Sequence, residues 1–104
     1  KETRRLDLSF TLSCENDSGH VTDILREAVE QHSLILKDPA PFVRMTERGE
    51  NTAVYTLRVW TKAENFWPVR YDLLESINKK FEQENIKIPY SKMDVNIKNQ
   101  GHPC

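Results

Sequence analysis

The stretch Leu57-Arg58-Val59-Trp60-Thr61-Lys62-Ala63-Glu64-Asn65-Phe66-Trp67-Pro68-Val69-Arg70-Tyr71-Asp72-Leu73-Leu74 ends a β-strand, turns and opens an amphipathic helix. Ala53, Tyr55, Leu57 and Val59 fall on one face of the strand, at the period of two that a pleated chain imposes. Phe66, Val69, Leu73, Leu74, Ile77 and Phe81 then form a helical stripe, flanked by Trp67 and Tyr71. Asn65 stands where an N-cap is wanted, and Pro68 lies in the first turn, where a missing N–H costs nothing. The corner holds both tryptophans, Trp60 and Trp67, and predicts the nucleus of a small core. It carries no catalytic pattern.

Upstream, Thr52 to Thr61 has apolar residues on both faces, which predicts a central strand with its second face partly covered. Arg48-Gly49-Glu50-Asn51 predicts a hairpin turn to a strand at Phe42-Val43-Arg44-Met45-Thr46-Glu47, with Gly49 free to take positive φ. Before that, Val21, Ile24, Leu25, Ala28, Val29, Ile35 and Leu36 predict one helix, capped by Asp17 or Ser18 and ended by the prolines Pro39 and Pro41. Leu6, Leu8, Phe10 and Leu12 alternate with polar residues in a first strand. Downstream, Asn85 suits a left-handed helix stop on which Ile86 folds back. Ile86 to Tyr90 is extended, with Pro89 at an edge, and Met93-Asp94-Val95-Asn96-Ile97-Lys98 predicts a last strand. The order strand, helix, strand, strand, helix, strand predicts an α+β fold: a ferredoxin-like βαββαβ sandwich, its four-stranded antiparallel sheet carrying two helices on one face. Residues 1–100 form one domain in this reading and 101–104 a disordered tail.

Length and charge set the outer bounds. A chain of 104 residues buries roughly two-thirds of its unfolded surface, enough for one core. Its 15 basic and 16 acidic residues argue against a dedicated nucleic-acid or membrane-surface binder. Cys14 and Cys104 lack a C-x-x-C spacing, so two free thiols in a reducing compartment are expected. The opening Lys1-Glu2-Thr3-Arg4-Arg5 reads as a cut inside a longer protein, and no apolar run has the roughly 18 residues a bilayer span needs.

The search for chemistry yields no catalytic, cofactor or metal residues. His20 follows the Asp17-Ser18-Gly19 loop without an activating context, and reads as a surface histidine. His32, near the first helix's end, has no second ligand at i±4. Three glycines leave little backbone to cradle phosphate. An RNA-stacking pattern is missing, although Arg44, Arg58 and Trp60 can form a weak patch.

Five motifs in order resemble one family: Leu36-Lys37-Asp38-Pro39-Ala40-Pro41, Val59-Trp60, Trp67-Pro68-Val69-Arg70-Tyr71-Asp72-Leu73-Leu74, Ile86-Lys87-Ile88-Pro89-Tyr90 and Met93-Asp94-Val95. They look like the cytoplasmic C-terminal domain of the small-conductance mechanosensitive channel (MscS) family. The resemblance implies a homoheptameric inner-membrane channel that opens under bilayer tension and releases ions and small osmolytes during osmotic stress. Copies of this domain would pack into a cage with side portals on the cytoplasmic side, the membrane being reached through upstream segments. It implies no enzyme activity, cofactor, nucleic acid or small-molecule substrate. Trp60, Trp67, Pro68, Tyr71, Pro89, Tyr90 and Asp94 become structural or interface candidates, and truncating Trp60 or Phe81 is expected to weaken the fold and with it assembly. The family often has Gly at Asn85 and Pro-Gln at Ser91-Lys92, and Gly101-His102-Pro103-Cys104 does not resemble its closing strand. The alternatives are a free-standing ferredoxin-like small-ligand or RNA-binding module, or a small enzyme of the same fold. Several apolar spans ahead of Lys1 would favour the channel.

Overall fold

A computed structural model describes residues 2–89. Its elements are β1 (Thr3–Ser13), α1 (Ser18–Gln31), β2 (Phe42–Arg48), β3 (Thr52–Lys62), a 3-10 turn (Ala63–Asn65) and α2 (Phe66–Gln83). The strands form an antiparallel sheet in the order β1-β3-β2, so β3 is central, as its two-sided apolar pattern requires. β1 pairs with β3 along its whole length, from Thr3 opposite Lys62 to Ser13 opposite Thr52. β2 pairs from Phe42 opposite Arg58 to Arg48 opposite Ala53, with a register shift between Met45 and Glu47. Thr46 is the extra residue, and its hydroxyl lies 2.8 Å from that of Thr56.

Alternation decides which face is buried. Leu6, Leu8 and Leu12 from β1, Val43 from β2, and Ala53, Tyr55, Leu57 and Val59 from β3 meet the helices in one core. α1 contributes Val21, Ile24, Leu25 and Val29, and α2 contributes Phe66, Val69, Leu73, Ile77 and Phe81. Phe10 packs edge-on against Phe81 with centroids 5.7 Å apart.

α2 stops as its sequence predicts. Asn85 takes φ 56°, Ile86 N–H donates to Phe81 C=O and Asn85 N–H to Glu82 C=O. These two bonds are the Schellman pattern, and they turn Ile86 back onto the core.

Other expectations change. α1 ends at Gln31 and does not reach Leu36, because His32 is extended and Leu36 N–H donates to Trp60 C=O of β3 instead of to a helical carbonyl. Ile35 is still buried, but from the connection. Asp17 and Asn65 occupy the N-cap positions without side-chain cap bonds. Gly49 does not take positive φ. A Cβ there would stand 2.8 Å from Thr52 Oγ1, so the glycine provides room for the turn. The described sheet has three strands, not four. The expected strand at Met93–Lys98 and the tail at 101–104 lie outside the described residues. Cys14 is disulfide-bonded, which removes the expected free thiol there.

Candidate functional site

α2 follows the central strand after a single 3-10 turn, so its first turn is displayed at one end of the sheet. Its buried stripe runs through Phe66, Val69 and Leu73. Trp67 and Tyr71, four residues apart, therefore share a neighbouring face that points away from the core. Trp67 is 51% exposed and Tyr71 56% exposed. Their rings lie 5.9 Å apart, tilted by 36°. Phe66 meets Trp67 edge-on at 5.1 Å and joins the surface pair to the core. Arg4 of β1 covers the Phe66 ring at 3.9 Å, and the Arg70 guanidinium stands 6.0 Å from Trp67. Pro68 is exposed beside them. The result is an aromatic surface flanked by two arginines, a composition suited to anchoring a protein partner.

Trp60 lies elsewhere. It sits half-buried on the sheet face opposite the helices, so it is no core residue, contrary to the expectation from the corner. Alternation explains this, because Val59 and Thr61 take the helix-facing positions. Arg58 and Arg44 share the outer face with Trp60, but Arg58 is engaged by Asp7 at 3.7 Å and by the Phe42 ring at 5.0 Å. The structure thus brings Trp67, Pro68 and Tyr71 together and sets Trp60 apart.

Pro89 is half-buried at the end of the segment leaving α2. Tyr90 and Asp94 lie outside the described residues. That segment is held by Asn16, whose amide donates to Lys87 C=O at 2.8 Å while its carbonyl accepts Lys87 N–H at 2.9 Å. Ser13 N–H also donates to Lys87 C=O. Asn16 reads in the sequence as a loop breaker, and no local pattern shows that its partner is 71 residues away.

Two histidine–carboxylate pairs join the antiparallel helices. His20 Nε2 lies 3.1 Å from Glu84 Oε1 at one end, and His32 Nε2 lies 2.8 Å from Asp72 Oδ2 at the other. Between the helices runs a groove of about 280 Å³ lined by Ile24, Ala28, Glu27, Gln31, Ser76 and Lys80 as well as His32 and Asp72. Among the described residues, no three His, Cys, Asp or Glu side chains cluster to hold a metal ion, and no helix is long and apolar enough to cross a membrane.

Comparison with known proteins supplies what geometry alone does not. The family model for the C-terminal region of the mechanosensitive ion channel MscS matches residues 6–88. An uncharacterised MscS-family protein of Synechocystis sp. is 33% identical over 97 residues, covering 93% of this chain and 33% of its own. The small-conductance mechanosensitive channel of Helicobacter pylori is 30% identical over 98 residues, covering 93% of this chain and 36% of its own. The chain thus spans about a third of the length of the curated relatives it matches. The crystal structure of Helicobacter pylori MscS in its closed state superposes with a TM-score of 0.80 at 29% identity, over 96% of this chain and 40% of that one. The cryo-EM structure of Arabidopsis thaliana MSL1 shares the fold, with a TM-score of 0.73 at 11% identity, over 88% of this chain and 35% of that one. By a family match running from the first strand to the segment beyond α2, the chain belongs to the MscS family and corresponds to its C-terminal domain.

Proposed function

We propose that this chain is a cage-forming domain of a mechanosensitive channel that opens under membrane tension and releases ions and small osmolytes. In this reading the domain has no catalytic part. It stands on the cytoplasmic side of the cell membrane, is joined to the bilayer by other segments of a longer protein, and packs with its own copies into a heptameric ring. The ferredoxin-like reading of the fold belongs to the same proposal: the order β1-β3-β2 is what a four-stranded βαββαβ sheet requires of its first three strands.

The observation that carries the proposal is the exposed Trp67–Tyr71 pair on a chain matched to a channel domain over residues 6–88. Large aromatics left in water gain most when a partner covers them, and interfaces are enriched in them. Walls and subunit contacts can select solutes by size and charge without any reactive group.

The test uses the full-length protein in a bacterial strain lacking its own mechanosensitive channels. Pressure-gated currents in membrane patches and survival of osmotic downshock are expected, together with a multi-subunit mass by light scattering in detergent. Trp67→Ala with Tyr71→Ala should lower the assembled fraction while the melting of the 104-residue chain stays unchanged. A monomeric full-length protein, or patches without pressure-gated current, would overturn the proposal. The module reading would instead predict ligand or RNA binding by the monomer.

A further inference from the structure

His32 occupies a joint. It is the C-cap of α1, with φ −94° and ψ 113°, and its backbone N–H donates to Val29 C=O. Its side chain is only 15% exposed. Both ring nitrogens are engaged: Leu34 N–H donates to Nδ1 at 3.2 Å, and Nε2 lies 2.8 Å from Asp72 Oδ2 on α2. A backbone N–H can only donate, so Nδ1 must be unprotonated to accept it. The ring is therefore the neutral tautomer, with its Nε2–H donating to the Asp72 carboxylate.

The two partners make opposite demands. Asp72 favours an imidazolium, whereas Leu34 N–H tolerates only the neutral ring. A proton added at Nδ1 would point at the Leu34 N–H, ending that bond while strengthening the tie to Asp72. The residues just beyond depend on this turn: Ile35 N–H donates to His32 C=O, and Leu36 N–H joins the sheet at Trp60. Ile35 and Leu36 also wall a second groove, of about 320 Å³, between the end of α1 and β2.

We propose that His32 is a proton-operated latch on the connection between α1 and β2. With a neutral ring it holds the turn at Leu34 and ties α1 to α2; protonated, it keeps α2 and releases the turn. The charged groups around it are Glu27, Asp72 and Lys80 along the groove between the helices and Arg26, Glu30 and Lys37 along the groove beside β2. Of these, Asp72 is the carboxylate in direct contact with the ring, at 2.8 Å.

The test is heteronuclear NMR of the 104-residue chain between pH 8 and 5. Imidazole nitrogen shifts should show the Nε2–H tautomer at the alkaline end. Exchange of the Leu34 amide, corrected for intrinsic pH dependence, should quicken about fivefold as the ring protonates. His32→Asn keeps an acceptor near the Nδ1 position and does not titrate, so it should leave corrected exchange flat. Asp72→Asn should move both the ring titration and the exchange step to lower pH together. An Nδ1–H ring at the alkaline end, a Leu34 amide indifferent to ring protonation, or an exchange step that persists in His32→Asn would each overturn the latch. The readout is independent of the channel reading.

Discussion

At the residue scale, two side chains are assigned work by their distant partners. Asn16 forms a two-way bond with the backbone of Lys87 and so anchors the segment beyond α2 to the end of β1. Asn16→Ala removes both bonds and should cost about 1–3 kcal/mol in urea unfolding, with faster exchange of the Lys87 amide. Tyr55 is buried on the central strand, and its burial pushes the phenol above its ordinary pKa of 10.0, with Arg48 pulling it down and Asp17 raising it. In the unfolded chain the phenol ionises first, so the unfolded state releases its proton at a lower pH. Stability from this residue is full below about pH 10 and falls as pH rises further. Thermal melts from pH 9 to 11 should show that loss, and Tyr55→Phe should reduce it.

At the scale of elements, α2 separates two groups of aromatics that look alike in sequence. Phe66 and Phe81 lie on the buried stripe, whereas Trp67 and Tyr71 lie on the neighbouring wet face. Phe81→Ala should therefore cost about 3–5 kcal/mol. Trp67→Ala and Tyr71→Ala should each stay within about 0.5 kcal/mol in the isolated chain. Trp60→Ala removes a half-buried ring from the outer sheet face and should fall between, at about 1 kcal/mol. Urea midpoints of the four variants rank them directly, and a Trp67→Ala midpoint as low as that of Phe81→Ala would refute the assignment of faces. The helical stripe was legible in the sequence because its spacing is local. The failure to extend α1 to Leu36 has a tertiary cause: the amide of Leu36 finds its acceptor on β3.

At the scale of the whole molecule, one core joins three strands and two helices, and the surface features that matter sit at its edges. A stable association usually buries at least about 1,200 Å² in total, more than a pair of exposed aromatics on each partner supplies. The 104-residue chain alone is therefore expected to be monomeric by light scattering at micromolar concentration. In the channel proposed above, assembly would draw on contacts made outside this chain, and a stable ring formed by this chain alone would contradict that division of labour.

The sequence by itself determined the element order, the strand-to-helix corner, the central position of β3 and the Asn85 helix stop. Each rests on periodicity or on one residue's backbone preference, which are properties of neighbours along the chain. It also carried the ordered motifs that match this family. Tertiary structure decided which aromatics were buried, that α1 ends at Gln31, that Asn16 holds Lys87, and that His20 and His32 bridge the helices. Those outcomes depend on groups brought together from 24 to 71 residues apart, as Leu36 with Trp60 and Asn16 with Lys87, and no local pattern encodes such a meeting. The opening corner keeps its place at the centre of the fold, with Phe66 in the core and Trp67 on the surface, because one helical step of about 100° separates them.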